Sequence, residues 1–111
     1  GYRLGLISDC SSEVPLLWPE TPFAALLDGA IFSCEVKLTK PDPSIYRMVC
    51  DSLEVAPDRC LYVGDGGSSE LTGAVEFGMD PVLIRAPTIR LKAIVRIGRE
   101  RGYLNLMKCW S

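Results

Sequence analysis

The chain contains no histidine, and its five cysteines include no Cys-x-x-Cys pair. Histidine and closely spaced cysteines supply most zinc ligands, and a histidine usually activates a catalytic cysteine. These absences argue against a zinc centre and against a Cys-His nucleophile. We expect reduced, mostly buried thiols at the five positions, which are Cys10, Cys34, Cys50, Cys60 and Cys109.

Long apolar runs are also missing from the chain. No stretch approaches the roughly 18 apolar residues of a membrane span, and no secretory signal is visible in the opening residues. The 111 residues, 48% of them hydrophobic, are enough for one compact domain and too few for two. We therefore expect a globular, cytoplasmic protein without a membrane partner.

Charge is unevenly distributed along the sequence. Residues 1–81 hold 5 Lys or Arg against 13 Asp or Glu, whereas residues 82–111 hold 7 against 1. We therefore predict a core in residues 1–86 and a separate basic tail in residues 87–111. Apolar residues alternate with basic ones between Ile89 and Ile97, which is typical of a strand. A solvated face is the simpler interpretation of this tail, and nucleic-acid binding is not expected.

Segments with strand and helix patterns alternate through the core. Such alternation predicts an α/β fold with a parallel sheet and right-handed crossovers. Asp42 followed by Pro43 is a strong helix start, and Gly78 suits a left-handed helix end. The predicted strands are residues 3–7, 29–34, 60–63 and 81–84, and the predicted helical segments are residues 13–17, 23–27, 43–54 and 69–77.

Polar residues follow the predicted strands at their carboxyl ends, where ligands bind in α/β sheets. Ser8 and Asp9 follow the first strand, Asp65 and Gly66 follow the third, and Lys40 lies in the loop after the second. A hydroxyl, a lysine, backbone amides and acids suit a phosphoryl group with a hard cation such as Mg²⁺.

The same residues form three motifs in a fixed order. Over about residues 3 to 85 the chain resembles the haloacid dehalogenase (HAD) superfamily of hydrolases, at that family's second, third and fourth motifs. The matching stretches are Leu6-Ile7-Ser8-Asp9, Lys40-Pro41-Asp42-Pro43 and Val63-Gly64-Asp65-Gly66 with Glu70. The resemblance implies the Rossmann-like parallel sheet of the HAD core.

The resemblance implies a role for each matching residue. Ser8 and Lys40 would be the catalytic pair that binds the phosphoryl group, with Asp9 and Gly66 beside them in the phosphate site. Asp65 would be a Mg²⁺ ligand, and Glu70 would support the metal directly or through water. Members of the family attack phosphate with an aspartate and pass through an aspartyl-phosphate. The implied substrate is a small phosphomonoester.

The family's first motif, an Asp-x-Asp after an N-terminal strand, does not occur in this sequence. In the family that strand lies at the centre of the sheet, here between the predicted strands 3–7 and 60–63. We therefore expect the C-terminal part of a hydrolase, inactive alone, with a vacancy in its sheet. Self-association, or pairing with the missing N-terminal segment, would fill that vacancy. The alternative is a non-catalytic module that associates with a partner supplying the strand.

Each implied role has a plainer structural alternative. Asp65 could be a turn residue, Glu70 a partner of the helix dipole, Lys40 a solvated lysine and Ser8 a helix cap. Lys37 stands where members of the family usually carry glycine. Members that displace halide from carbon need no metal and tend to lose the fourth-motif acids, so Asp65 with Glu70 favours a phosphatase.

Overall fold

The computed structural model describes residues 2–85 and strand 103–110, which together form one five-stranded sheet flanked by helices. The strands, in sequence order, are β1 (Tyr2–Asp9), β2 (Gly29–Phe32), β3 (Cys60–Gly64), β4 (Asp80–Leu83) and β5 (Tyr103–Trp110). The α-helices are α1 (Glu13–Leu17), α2 (Ser33–Val36), α3 (Pro43–Leu53) and α4 (Glu70–Phe77), and short 3₁₀ turns lie at Trp18–Glu20, Ala24–Leu26, Pro57–Arg59 and Gly67–Ser69. In the described residues, no helix has the length and apolar character of a membrane span.

The sheet order is β2-β1-β5-β3-β4. β1 pairs in parallel with β2, and β3 pairs in parallel with β4. These two parallel pairs, joined through helices, confirm the predicted α/β class. β1 and β3 are each antiparallel to β5, so they end at the same edge of the sheet, which is where the predicted site residues lie.

Helix α3 provides the largest part of the core. Asp42 caps it by accepting a 2.9 Å hydrogen bond from the backbone N–H of Ser44, and Pro43 occupies its first position, both as predicted. Its apolar residues recur at three- and four-residue spacing and are buried on one face. They are Ile45, Tyr46, Val49, Cys50 and Leu53.

Helix α4 lies unusually close to the loop that precedes α3. A Cβ atom at Gly73 would lie 2.6 Å from Cβ of Pro41 and 2.8 Å from the Tyr46 hydroxyl oxygen, so only glycine fits there without displacement. Gly78 ends the helix at φ 109°, the predicted left-handed cap. This close approach brings the start of α4 against the loop that carries Lys40.

The segment after β2 differs from the expected strand 29–34. β2 ends at Phe32, and residues Ser33–Val36 form the short helix α2. Lys37 ends this helix at φ 57°, and its backbone N–H donates to the Ser33 carbonyl at 2.8 Å. A left-handed conformation favours glycine, which matches the residue that the resemblance leads us to expect at this position.

The prediction of a vacancy at the centre of the sheet is wrong, because strand 103–110 of the same chain lies there. β5 is antiparallel to both neighbours, with Leu106 opposite Leu6 of β1 and opposite Val63 of β3. The sheet is therefore mixed rather than wholly parallel. Pairing of β5 on both sides satisfies backbone groups that β1 and β3 would otherwise leave unpaired. The strand-like pattern at Ile89–Ile97 lies outside the described residues.

The central position of β5 predicts that a proline within it destabilises the whole sheet. Leu106→Pro removes a backbone N–H from a strand paired on both sides, and we expect it to lower the free energy of unfolding by at least about 2 kcal/mol. Urea denaturation measures the loss. Ser111→Pro, one residue beyond β5, is the matched control and should unfold like the parent chain. Equal stability of Leu106→Pro and the parent would contradict the central placement of β5.

Candidate active site

A buried ion pair lies at the edge of the sheet where β1 and β3 end. Nζ of Lys40 lies 3.3 Å from Oε2 of Glu70, and both side chains are 0% exposed. The hydroxyl of Tyr62 also donates to Oε2, at 3.4 Å, and the backbone N–H of Gly66 donates to Oε1 at 3.0 Å. Both oxygens of this carboxylate thus accept hydrogen bonds, as a buried charge requires.

Several carboxylates influence the Lys40 ammonium. Burial lowers the pKa of Lys40, because removal from water disfavours its charged form, and the negative charges of Asp9, Glu70 and Asp65 oppose that shift. The resemblance implied that Lys40 and these acids share one site. The structure brings all four to the same edge of the sheet.

Asp9, the last residue of β1, holds the lysine loop in place. Its Oδ1 accepts a 3.2 Å hydrogen bond from the backbone N–H of Lys40. The predicted role of Asp9 in binding phosphate stays a prediction, since the contact seen in the structure is to the protein backbone. Asp9 thereby connects the end of β1 to the loop before α3.

Ser8 precedes Asp9 and is completely buried. Within the described part of the chain its Oγ has no oxygen or nitrogen partner, although the neighbouring Cys10 thiol interacts with it. Ser8 lies inside β1, so it is not the cap of the helix that follows. A buried hydroxyl without a partner costs about 1–3 kcal/mol, and an acceptor that reaches it would recover that energy.

Asp65 and Gly66, in the loop after β3, make different hydrogen bonds. Asp65 is exposed, and its Oδ1 accepts a 2.9 Å hydrogen bond from the backbone N–H of Gly67, which is the turn role considered as its alternative. Gly66 adopts φ 91° and directs its N–H at Glu70. In the described residues no group of three or more Asp, Glu, Cys or His side chains is arranged to hold a metal. The metal roles of Asp65 and Glu70 stay predictions.

Two tyrosines contribute to the site although the sequence analysis assigned them no role in it. Tyr46 donates to the Glu70 backbone carbonyl at 2.8 Å, and Tyr62 donates to the Glu70 carboxylate. Their rings meet edge to face, with centroids 5.5 Å apart. A buried tyrosine hydroxyl usually needs a hydrogen-bond partner. The presence of Tyr62 inside the apolar strand before Gly64-Asp65 was therefore the sequence signal that could have indicated a polar group nearby.

Comparison with known proteins places this geometry in a family. The sequence model of the family of haloacid dehalogenase-like hydrolases matches residues 1–78. The chain belongs to this family of hydrolases. A solved structure described as a dehalogenase with intermediate complex superposes with a TM-score of 0.64 at 28% identity, covering 77% of this chain and 38% of that one. The HAD assignment and its α/β core are thus confirmed.

Curated relatives of the chain have different activities. The Rhythmically expressed gene 2 protein of Drosophila melanogaster is 33% identical over 85 residues, covering 74% of this chain and 33% of that protein. (S)-2-haloacid dehalogenase 4A of Burkholderia cepacia is 31% identical over 85 residues, covering 76% and 36%. N-acylneuraminate-9-phosphatase of Mus musculus is 36% identical over 52 residues, covering 47% and 21%. The chain thus spans about a third of the length of the first two relatives.

The buried tyrosines give the site a measurable pH dependence. Burial first, and then the charge of Glu70, raise the pKa values of Tyr46 and Tyr62 above the ordinary value of 10.0. The folded chain keeps these protons while the unfolded chain releases them above pH 10. The stability that the two phenols contribute is therefore complete below pH 10 and is lost as the pH rises further.

We expect Tyr46 and Tyr62 to ionise only when the protein unfolds in alkali. Ultraviolet absorbance of tyrosinate, followed beside circular dichroism, measures both events in one titration. Tyr62→Phe should reduce the delayed component by one tyrosine, whereas Tyr2→Phe, at an exposed position, should leave it unchanged. Ionisation of all four tyrosines near pH 10 in a still-folded chain would contradict the buried placement.

Proposed function

We propose that this chain carries the phosphoryl-binding part of a Mg²⁺-dependent phosphomonoesterase of the HAD-like family. The observation that carries the proposal is the buried Lys40 ammonium, held by Glu70 at the carboxyl ends of parallel strands. A fixed cation in a site shielded from water stabilises phosphoryl charge far more than a solvated lysine would. The substrate class that fits is a small phosphomonoester.

Ser8 and Lys40 would bind the phosphoryl group together. The Ser8 hydroxyl is buried and has no oxygen or nitrogen partner in the described residues, so a phosphoryl oxygen would give it a stronger acceptor than the Cys10 sulfur. Lys40 would neutralise charge on the same group. Asp9 would position the lysine through its contact with the Lys40 backbone. Positioning and charge neutralisation are the main protein contributions to phosphoryl transfer.

The acids at the site fit one Mg²⁺ ion bound mainly by Asp65. Mg²⁺ commonly takes one or two carboxylates and completes its coordination with phosphate oxygens and water. Asp65 is exposed and able to offer an oxygen, whereas both oxygens of Glu70 already accept protein hydrogen bonds. Glu70 would therefore support the ion indirectly, by fixing Lys40 and Gly66. When bound, the ion would neutralise charge on the phosphoryl group.

The nucleophile of the reaction would lie outside this chain. Strand β5, between β1 and β3, reads Tyr-Leu-Asn-Leu-Met-Lys-Cys-Trp and contains no Asp or Glu. The chain alone therefore lacks a carboxylate in the central strand that could attack phosphate. In the whole protein, the aspartate of the family's first motif would supply it. Asp65 together with Glu70 supports a phosphatase over a dehalogenase, although both kinds of enzyme are among the relatives.

A non-catalytic role is the second candidate, and the placement of β5 favours it in a changed form, because β5 takes the place of the strand that a partner was expected to supply. With β5 paired on both sides, the sheet has no central vacancy for another strand to enter. Such a chain would keep the Lys40–Glu70 pair as a structural feature only. This candidate predicts that neither Mg²⁺ nor phosphate changes the stability of the chain.

Ligand-dependent melting separates these candidates. Mg²⁺ with inorganic phosphate should raise the Tm of the chain in a concentration-dependent way, because ligands that bind only the folded state stabilise it. Asp65→Asn should remove the Mg²⁺ contribution, and Lys40→Met should remove the phosphate contribution. Asp80→Asn and Lys37→Met, both exposed, are the matched controls. A Mg²⁺-dependent part of the Tm rise that persists in Asp65→Asn would contradict the metal assignment, and no rise at all in the parent chain would support the non-catalytic candidate.

Activity assays complete this test. The chain alone should not hydrolyse p-nitrophenyl phosphate above background, since it lacks the nucleophile. Coexpression with a segment carrying the first motif should give Mg²⁺-dependent hydrolysis, which requires the strand of that segment to displace β5 from the centre of the sheet. Chloride release from 2-chloropropionate without metal would instead identify a dehalogenase. Hydrolysis by the chain alone that Lys40→Ala abolishes would show that the nucleophile lies within these residues.

A further inference from the structure

We propose that Cys10 and Cys34 form a reversible disulfide, an oxidation site that links the loop after β1 to the start of α2. Their Sγ atoms lie 3.9 Å apart. The site is two residues from Ser8, yet its formation does not depend on the hydrolase activity proposed above. This disulfide would be an exception to the expectation from the sequence that all five thiols stay reduced.

The backbone already holds the two cysteines beside each other. Ser33 Oγ accepts a 2.9 Å hydrogen bond from the Cys10 N–H and donates to the Cys10 carbonyl at 3.3 Å. The Cys34 thiol donates to the Ser11 carbonyl at 3.5 Å. The sulfurs must approach to about 2.05 Å to bond. Bond formation therefore requires the Cys34 sulfur to leave the Ser11 carbonyl and rotate toward Cys10.

Exposure distinguishes this pair from the other cysteines of residues 2–85. Cys10 and Cys34 are half-buried, whereas Cys50 is 4% exposed and Cys60 is 0% exposed. A small oxidant can therefore reach the pair and not the core thiols. Burial raises the pKa of the Cys10 thiol and so lowers its thiolate fraction, which makes it a poor first target for peroxide.

Hydrogen peroxide, or an organic hydroperoxide, is the oxidant class that balances the reaction. The Cys34 sulfur attacks one peroxide oxygen, the O–O bond breaks, and a sulfenic acid forms with release of water from hydrogen peroxide or of an alcohol from an organic hydroperoxide. The Cys10 sulfur then attacks the Cys34 sulfur, the S–O bond breaks, and water leaves with the Cys10 proton. Two thiols give two electrons to one peroxide, and a dithiol reductant reverses the change.

The bridge would stabilise the edge of the sheet that carries the site. It closes the chain between residues 10 and 34, which restricts the unfolded state, and it fixes the residue next to Asp9. Asp9 in turn holds the Lys40 backbone. We therefore expect peroxide treatment to raise the Tm of the chain by about 5 °C or more, and a dithiol to return it to the starting value.

Peptide mapping identifies the bond directly. Trypsin leaves both cysteines on one peptide, residues 4–37, so the chain should be alkylated and cleaved after glutamate instead. Oxidised protein should then give peptide 1–13 linked to peptide 21–35, and reduced protein should give the two alkylated peptides separately. Cys10→Ser and Cys34→Ser should each abolish the link and the rise in Tm, whereas the control Cys50→Ala should retain both.

Three outcomes would overturn the proposal. The first is full alkylation of Cys10 and Cys34 after peroxide treatment of the folded chain. The second is a link between Cys60 and Cys109, which lie opposite each other in β3 and β5, in place of the proposed bond. The third is a covalent dimer joined through Cys10 or Cys34, which gel electrophoresis without reductant detects.

Discussion

The arrangement of the site depends on one buried ion pair, between Lys40 and Glu70. Two opposite charges removed from water are stable only when each finds partners, and one partner alone would leave a buried charge that costs several kcal/mol. The pair therefore requires α4 to lie against the loop before α3, and Gly73 permits that approach. Tyr62 and Gly66 complete the hydrogen bonding of Glu70, so strand β3 and its following turn are held by the same carboxylate.

Strand β5 imposes the second constraint. Two parallel strand pairs do not form one sheet unless something joins them, and β5 joins them through hydrogen bonds to both β1 and β3. Its direction matters for function. Because β5 is antiparallel, it brings its first residues, opposite Ser8 and Asp9, to the edge where the site lies. Those first residues are Tyr103 and Leu104, and Asn105 follows opposite Ile7, so a hydrolytic reaction needs a carboxylate from elsewhere.

Sequence patterns predicted the parts of the fold that local chemistry determines. Asp42-Pro43 marked the start of α3 and Gly78 the end of α4, since capping and left-handed conformations depend on single residues. The sequence also predicted that Ser8 and Lys40 lie at one edge of the sheet, because Ser8 follows one predicted strand and Lys40 lies in the loop after the next. β5 was missed because antiparallel return of a distant strand leaves no local signal, and the family resemblance assigned its position to another segment. The contacts of Glu70 were missed because a helical carboxylate at the first turn has the same pattern whether exposed or buried.

The central claim is that Lys40 and Glu70 stabilise each other inside the protein, and a double-mutant cycle tests it most directly. Urea unfolding of the parent, Lys40→Met, Glu70→Gln and the double variant should give a coupling free energy of about 1–3 kcal/mol. The surface pair of Arg3 and Glu54, 3.5 Å apart and largely exposed, is the control and should couple more weakly. Additive effects at Lys40 and Glu70, no larger in coupling than the surface pair, would contradict the account.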